Sequence, residues 1–126
     1  MGRISHVSVG VNDVARAKAF YDPLMRLLGL RIRQSDSDSV DYGNEGLVFS
    51  LETPTNGKPA TSGNGVHIAF TAPDRQTVDS FYTEALRLGG TDAGAPGLRP
   101  QYSDNYYAAF VFDPEGNKIE AVTGLD

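Results

Sequence analysis

Cysteine is absent from all 126 residues, which excludes a disulfide scaffold, Cys-ligated zinc, iron–sulfur clusters and thiol catalysis. Basic residues are few: 11 Lys and Arg stand against 16 Asp and Glu, for a net charge of −5 and a pI near 4.9. That balance disfavours nucleic acid or an anionic membrane as partner. No apolar run approaches the ~20 residues a bilayer span needs. The polar start MGRISHVSVGV does not read as a signal peptide, and His6 occupies the position where N-myristoylation needs Ser or Thr. The expected setting is the cytoplasm. Neither a GxGxxG nor a Walker pattern is present. Asp113 and Glu115 beside Gly116 lack EF-hand spacing and read as turn residues. Glycine (14) and proline (7) together stay below the ~25–30% of a low-complexity chain.

What the chain does contain is an internal repeat, the feature that governs the fold. ISHVSVGVNDVARAKAFYDPLMRLLGL aligns without gaps on GVHIAFTAPDRQTVDSFYTEALRLGGT. His6 falls on His67, Asp13 on Asp74, Phe20-Tyr21 on Phe81-Tyr82, and Gly29 on Gly90. The only two histidines of the chain are thus equivalent. Further on, NEGLVFSL matches PEGNKIEA, so that Ser50 falls on Glu120. The second half is lengthened by a Gly- and Pro-rich stretch around Ala93 to Asn105.

Val7, Val9 and Val11 alternate with polar or small residues, as do Val66, Ile68 and Phe70, the period of half-buried strands. Asn12 or Asp13 can cap the helix that follows, with Leu24, Leu27 and Leu28 as its inner stripe. Pro23 is expected to kink or split that helix after Asp22. A second helix starts near Pro73-Asp74, with the proline in its first turn, and ends at Gly89-Gly90. The recurring Phe-Tyr pairs read as core. Asn-Glu-Gly and Pro-Glu-Gly have the residues of hairpin turns. The expected fold is α+β: two tandem β-α-β-β-β modules forming a curved, partly closed mixed sheet with helices outside. The modules span 1–53 and 65–126, joined by a linker over 54–64. Each alone would be a marginal domain.

Strand parity then assigns side chains to faces. Val7, Val9, Ile68 and Phe70 belong against the helices, as do Ile119 and Ala121. His6, His67, Glu120 and, by the repeat, Ser50 point to the opposite, concave face. Taken singly, each is an ordinary polar strand residue. Taken as a matched set, two imidazoles and a carboxylate suit a divalent ion such as Fe, Mn, Co, Ni or Zn. Such an ion leaves positions open for two neighbouring substrate oxygens and acts as a Lewis acid. Glu120 is also the candidate catalytic carboxylate. Glu52 shares the face of Ser50, and both are candidate substrate contacts. In the loop LRPQYSDNYY, Arg99 can pair with an anionic substrate, while Tyr102 or Tyr106 can donate a hydrogen bond or stack on a ring. Of Tyr106 and Tyr107, alternation sends one to the core.

Those segments, with YYAAFVFDPEGNKIEAV most specific among them, resemble the vicinal oxygen chelate superfamily: glyoxalase I, extradiol dioxygenases, fosfomycin-resistance thiol transferases and bleomycin-binding resistance proteins. The resemblance spans essentially the whole chain. It implies the paired β-α-β-β-β fold, metal ligands at His6, His67 and Glu120, and a metal-dependent lyase or isomerase, dioxygenase or thiol transferase. The substrate would be a small oxygen-rich or aromatic molecule. The alternative is a metal-free protein of the bleomycin-resistance kind that sequesters a small ligand. Ser50 departs from the pattern, because glyoxalase I carries a glutamate there as ligand and base, and serine cannot accept a proton in that role. No third histidine is present for dioxygenase acid–base work. In this superfamily the halves can close a site within one chain or across a homodimer, and both arrangements stay open.

Overall fold

The computed structural model describes residues 2–125. The chain divides into two compact units, 1–62 and 63–126. The first contains β1 (Val7–Gly10), α1 (Val14–Leu27), β2 (Arg31–Ser35), β3 (Ser39–Gly43) and β4 (Leu47–Glu52). The second contains β5 (His67–Thr71), α2 (Arg75–Arg87), β6 (Thr91–Leu98), β7 (Tyr107–Phe112) and β8 (Lys118–Thr123). Each unit is one β-α-β-β-β module with a four-stranded mixed sheet, ordered β1-β4-β3-β2 and β5-β8-β7-β6. The α+β class and the duplicated element order are as the repeat implies.

Equivalent aspartates start both helices. Asp13 accepts the Arg16 N–H at 3.0 Å, and Asp74 accepts the Thr77 N–H at 2.8 Å, each satisfying an otherwise unpaired first-turn donor. Pro73 lies ahead of that cap rather than inside the first turn. Past the helices, Gly29 (φ 78°) and Gly89 (φ 106°) take the left-handed conformation that ends them. Pro23 does not split α1, which runs unbroken to Leu27. The lost N–H costs one helical bond, while Phe20, Tyr21, Leu24 and Met25 on both sides of it are buried and hold the turn in place. Met25 supplies the buried stripe where Leu27 was expected; Leu27 is exposed.

In the first unit, Phe49 and Leu51 of β4 are fully buried, and the Tyr21 ring lies 5.1 Å from that of Phe49. Val7 and Val9 pair in register with these two residues, so the apolar face of the sheet meets α1. In the second unit, Val78, Phe81 and Ala85 of α2 are buried with Ala109, Val111, Ile119 and Ala121 of the sheet. Tyr82 is only partly buried, with its hydroxyl on Asp92 at 3.0 Å. The Gly- and Pro-rich stretch that lengthens the second half begins within strand β6, paired with β7 through two register shifts at Asp92/Gly94 and Gly94/Gly97. An edge strand tolerates Pro96 and such bulges, because one side of it owes no ladder bonds.

Candidate functional site

Alternation along the second sheet settles which side chains leave the helix. Ile119 and Ala121 lie beneath α2, so Lys118, Glu120 and Val122 emerge on the other face. Phe110 stands opposite Glu120 on β7, Ala69 stands beside it on β5, and His67 pairs in register with Lys118. Phe110 also packs with Ala108 and Val122, edged by Ala93 and Tyr106.

Glu120 is the unusual group on this face. Its side chain is 1% exposed, yet it carries a carboxylate, which burial penalises unless partners are supplied. It has two. His67 Nε2 lies 2.7 Å from Oε1, and the Tyr106 hydroxyl donates to Oε2. His67 is 42% exposed, so this pair reaches from the sheet surface to solvent. Burial, then the bond to Glu120, pushes the Tyr106 hydroxyl well above the ordinary tyrosine range, with Arg99 pulling weakly the other way. Tyr106 is therefore a fixed donor at neutral pH. Tyr107 points to the helix side, its hydroxyl on Asp79 at 2.6 Å and Arg75 over its ring.

The loop that carries Tyr106 is closed by the Arg99 N–H donating to the Tyr106 carbonyl at 2.7 Å. Tyr102 packs edge-on against Tyr106, with ring centroids 5.0 Å apart. Arg99 folds back so that its guanidinium lies 5.3 Å from the Phe110 ring centroid. The Lys118 ammonium lies 5.2 Å from the same centroid, and the His67 ring lies 5.9 Å away.

Of the residues singled out in the sequence, the second unit thus brings together His67, Glu120, Tyr106, Tyr102 and Arg99. His6, Ser50 and Glu52 belong to the first unit. His6 is exposed just ahead of β1 and its Nδ1 lies 3.0 Å from Ser5 Oγ. Ser50 is buried and donates to Asp41 Oδ1 at 2.8 Å. Glu52 is exposed at the end of β4. Among the described residues no group of three or more His, Asp or Glu side chains stands close enough to hold a metal ion. The donor chemistry of the His67–Glu120 pair, a borderline imidazole beside a hard carboxylate, fits two positions of a divalent first-row ion.

Sequence reasoning missed Phe110, Lys118 and Asp41. All three were accessible from register: a hairpin centred on Glu115 sets residue 110 opposite Glu120, and Lys118 shares the parity of Glu120. The first hairpin likewise sets Asp41 opposite Ser50.

The family model for the Glyoxalase/Bleomycin resistance protein/Dioxygenase superfamily matches residues 3–121. The chain belongs to that superfamily. Among solved structures, a glyoxalase/bleomycin resistance protein from Albidiferax ferrireducens T118 is 38% identical with a TM-score of 0.87, over 94% of this chain and 97% of that one. A lactoylglutathione lyase from Agrobacterium tumefaciens is 21% identical with a TM-score of 0.68, over 99% and 96%. A glyoxalase-related enzyme from Fulvimarina pelagi is 16% identical with a TM-score of 0.76, over 98% and 89%. At those last two identities the likeness concerns the fold alone. No curated protein matches the sequence. Among the described residues, no helix of this superfamily member is long and apolar enough to cross a membrane.

Proposed function

We propose that the protein is a cytoplasmic, metal-dependent enzyme acting on a small oxygen-rich or aromatic molecule, with His6, His67 and Glu120 as ligands of a divalent ion. When bound, the ion supplies Lewis-acid chemistry toward two neighbouring substrate oxygens. The observation that carries the reading is the Glu120 carboxylate, held in a sheet at 1% exposure beside a half-exposed imidazole. A buried carboxylate without a task is costly compared with an apolar residue.

The chain's own groups divide the work. Tyr106 fixes one oxygen of Glu120 and leaves the other toward His67. Tyr102 offers a ring edge, and Arg99 a charge, to a bound molecule. Glu120 is the group to move a proton to or from that molecule. His6 is the third donor, from the same chain or from a second copy in a homodimer. With Ser50 in place of an acid on β4, lyase chemistry of the glyoxalase I type has no base at that position. Dioxygenase or thiol-transferase chemistry is the nearer fit to a two-His, one-Glu set.

One observation favours a second reading, a metal-free ligand-sequestering protein of the bleomycin-resistance kind: His67 and Tyr106 already satisfy both oxygens of Glu120. His67→Ala separates the two. The enzyme reading expects loss of bound metal and of activity. The sequestering reading expects ligand affinity to persist, with no metal bound by wild type or variant.

A further inference from the structure

Two cations share one ring on the face of Glu120, and among the described residues neither is in an ion pair. The guanidinium of Arg99 and the ammonium of Lys118 lie 5.3 and 5.2 Å from the centroid of Phe110. The three ion pairs of the described residues are Lys18–Asp22, His67–Glu120 and Arg87–Glu84, and none includes Arg99 or Lys118. Glu120, on the same face, is committed to His67 and Tyr106. In a chain of net charge −5, two cations held on one ring and engaged in no ion pair of the described residues are available to a negatively charged ligand.

The backbone also makes room for Arg99. A Cβ at Gly97 would come within 3.1 Å of its Nη1, and one at Gly94 within 3.3 Å of its Nη2 and 3.0 Å of the Phe110 ring. Side chains at those two positions of β6 would press on the guanidinium, which would have to give by a few tenths of an ångström. Its Nη2 donates to the Ala95 carbonyl at 2.7 Å, which anchors one edge of the fork and leaves other N–H groups for a ligand. Lys118 pairs in register with His67, so its charge stands beside the proposed metal ligand.

We propose that Arg99 and Lys118 form an oxyanion-binding subsite over Phe110, and that the molecule taken by this face is a small organic anion bearing a carboxylate or phosphoryl group. The proposal deepens the functional reading above by naming the substrate class, and as a substrate assignment it rests on that reading. The planar fork of Arg99 matches the paired oxygens of either group, with Lys118 adding a point charge. The Phe110 ring supplies an apolar floor and keeps bulk water from one side of both cations.

The test uses the full chain stripped of metal by chelation, so that anion binding is read independently of any ion. Inorganic phosphate, benzoate and the neutral analogue benzamide are titrated while backbone amide NMR shifts are followed. At least one of the two anions should bind and shift the amides of Gly94, Arg99, Phe110 and Lys118, with benzamide at least about tenfold weaker. The tighter of phosphate and benzoate indicates which oxyanion the subsite prefers. Arg99→Gln and Lys118→Gln should each weaken that binding about tenfold, the usual scale for a charge-assisted contact. Benzamide binding by the wild type as tight as that of the tighter anion, which needs no variant, overturns the proposal. So does wild-type anion affinity in the Arg99→Gln/Lys118→Gln double variant, or no binding of either anion at tens of millimolar. Anion binding intact in a protein that takes up no metal sinks the enzyme reading while leaving the subsite standing; metal uptake without anion binding sinks the subsite alone.

Discussion

Replacing Tyr106 with Phe removes a single oxygen and leaves the ring against Tyr102, so it isolates the support given to Glu120. The Tyr106 hydroxyl is the donor to Glu120 Oε2, and Glu120 is 1% exposed, so water cannot readily take its place. A hydrogen bond to a charged group contributes about 1.5–3 kcal/mol, and an acceptor left wholly without a replacement donor would cost the upper part of that range. Tyr106 itself is partly exposed, which lets some solvent reach the site and argues for about 1.5–2 kcal/mol. For a chain of this size that corresponds to a fall in melting temperature of roughly 5–10 °C. Urea unfolding of the wild type, Tyr106→Phe, Glu120→Ala and the double variant closes a double-mutant cycle. The coupling between the two positions should carry most of the loss. Tyr102→Phe, whose hydroxyl is not one of the two groups that hold Glu120, should change stability by less than about 0.5 kcal/mol. A Tyr106→Phe cost below about 0.5 kcal/mol, or the same cost with Glu120 already removed, refutes the claim that Tyr106 holds the carboxylate.

Other outcomes follow from the same structure. Phe81 is fully buried between α2 and the second sheet, so Phe81→Ala should cost about 3–5 kcal/mol in urea unfolding; a loss under about 1 kcal/mol would mean that the helix–sheet core is not the principal support of that unit. Bonds from the Thr77 hydroxyl and then its N–H hold the Asp74 carboxyl below the ordinary aspartate range. A depressed folded-state pKa means stability present above the unfolded value and lost as pH falls through the folded one. Asp74→Asn should therefore flatten the acid limb of the stability–pH curve below about pH 4, and an unchanged limb would contradict that assignment.

Much of the fold was legible because it is written twice. The paired Asp caps, the Gly terminators and the alternating apolar strands each recur at equivalent positions, so one half checks the other. The exceptions have local causes. Pro23 breaks a helix by its own propensity, and only the buried residues on both sides of it, invisible as contacts in the sequence, keep α1 whole. The stretch after α2 carries Gly94, Pro96 and Gly97, residues that disfavour a regular strand, yet an edge strand accommodates all three. Tyr82 is expected in the core from its repeat partner, but its hydroxyl reaches Asp92 and draws the ring outward.

Of the candidate site, the surroundings of Glu120 in the second unit were legible in part. Parity along β8 is enough to separate Glu120 from Ile119 and Ala121, and the closing hairpin brings Tyr106 to it. What parity along one strand cannot supply is the cross-strand neighbour, which is why Phe110, Lys118 and Asp41 emerge only with the register. Asp41 shows how the two units have diverged. Where β8 carries its acid at residue 120 with an aromatic residue opposite, β4 carries Ser50 with the acid opposite, on β3. The carboxylate is present in both sheets but sits one strand over in the first.

Metal content tests the central claim most directly. Protein expressed with iron, manganese, cobalt, nickel or zinc supplementation, desalted and measured by elemental mass spectrometry, should hold close to one ion per site for at least one of these metals. His67→Ala and Glu120→Ala should each lower that content by about tenfold or more while the chain stays folded. Wild-type protein that retains none of the five metals, or variants that retain as much as the wild type, would contradict the account.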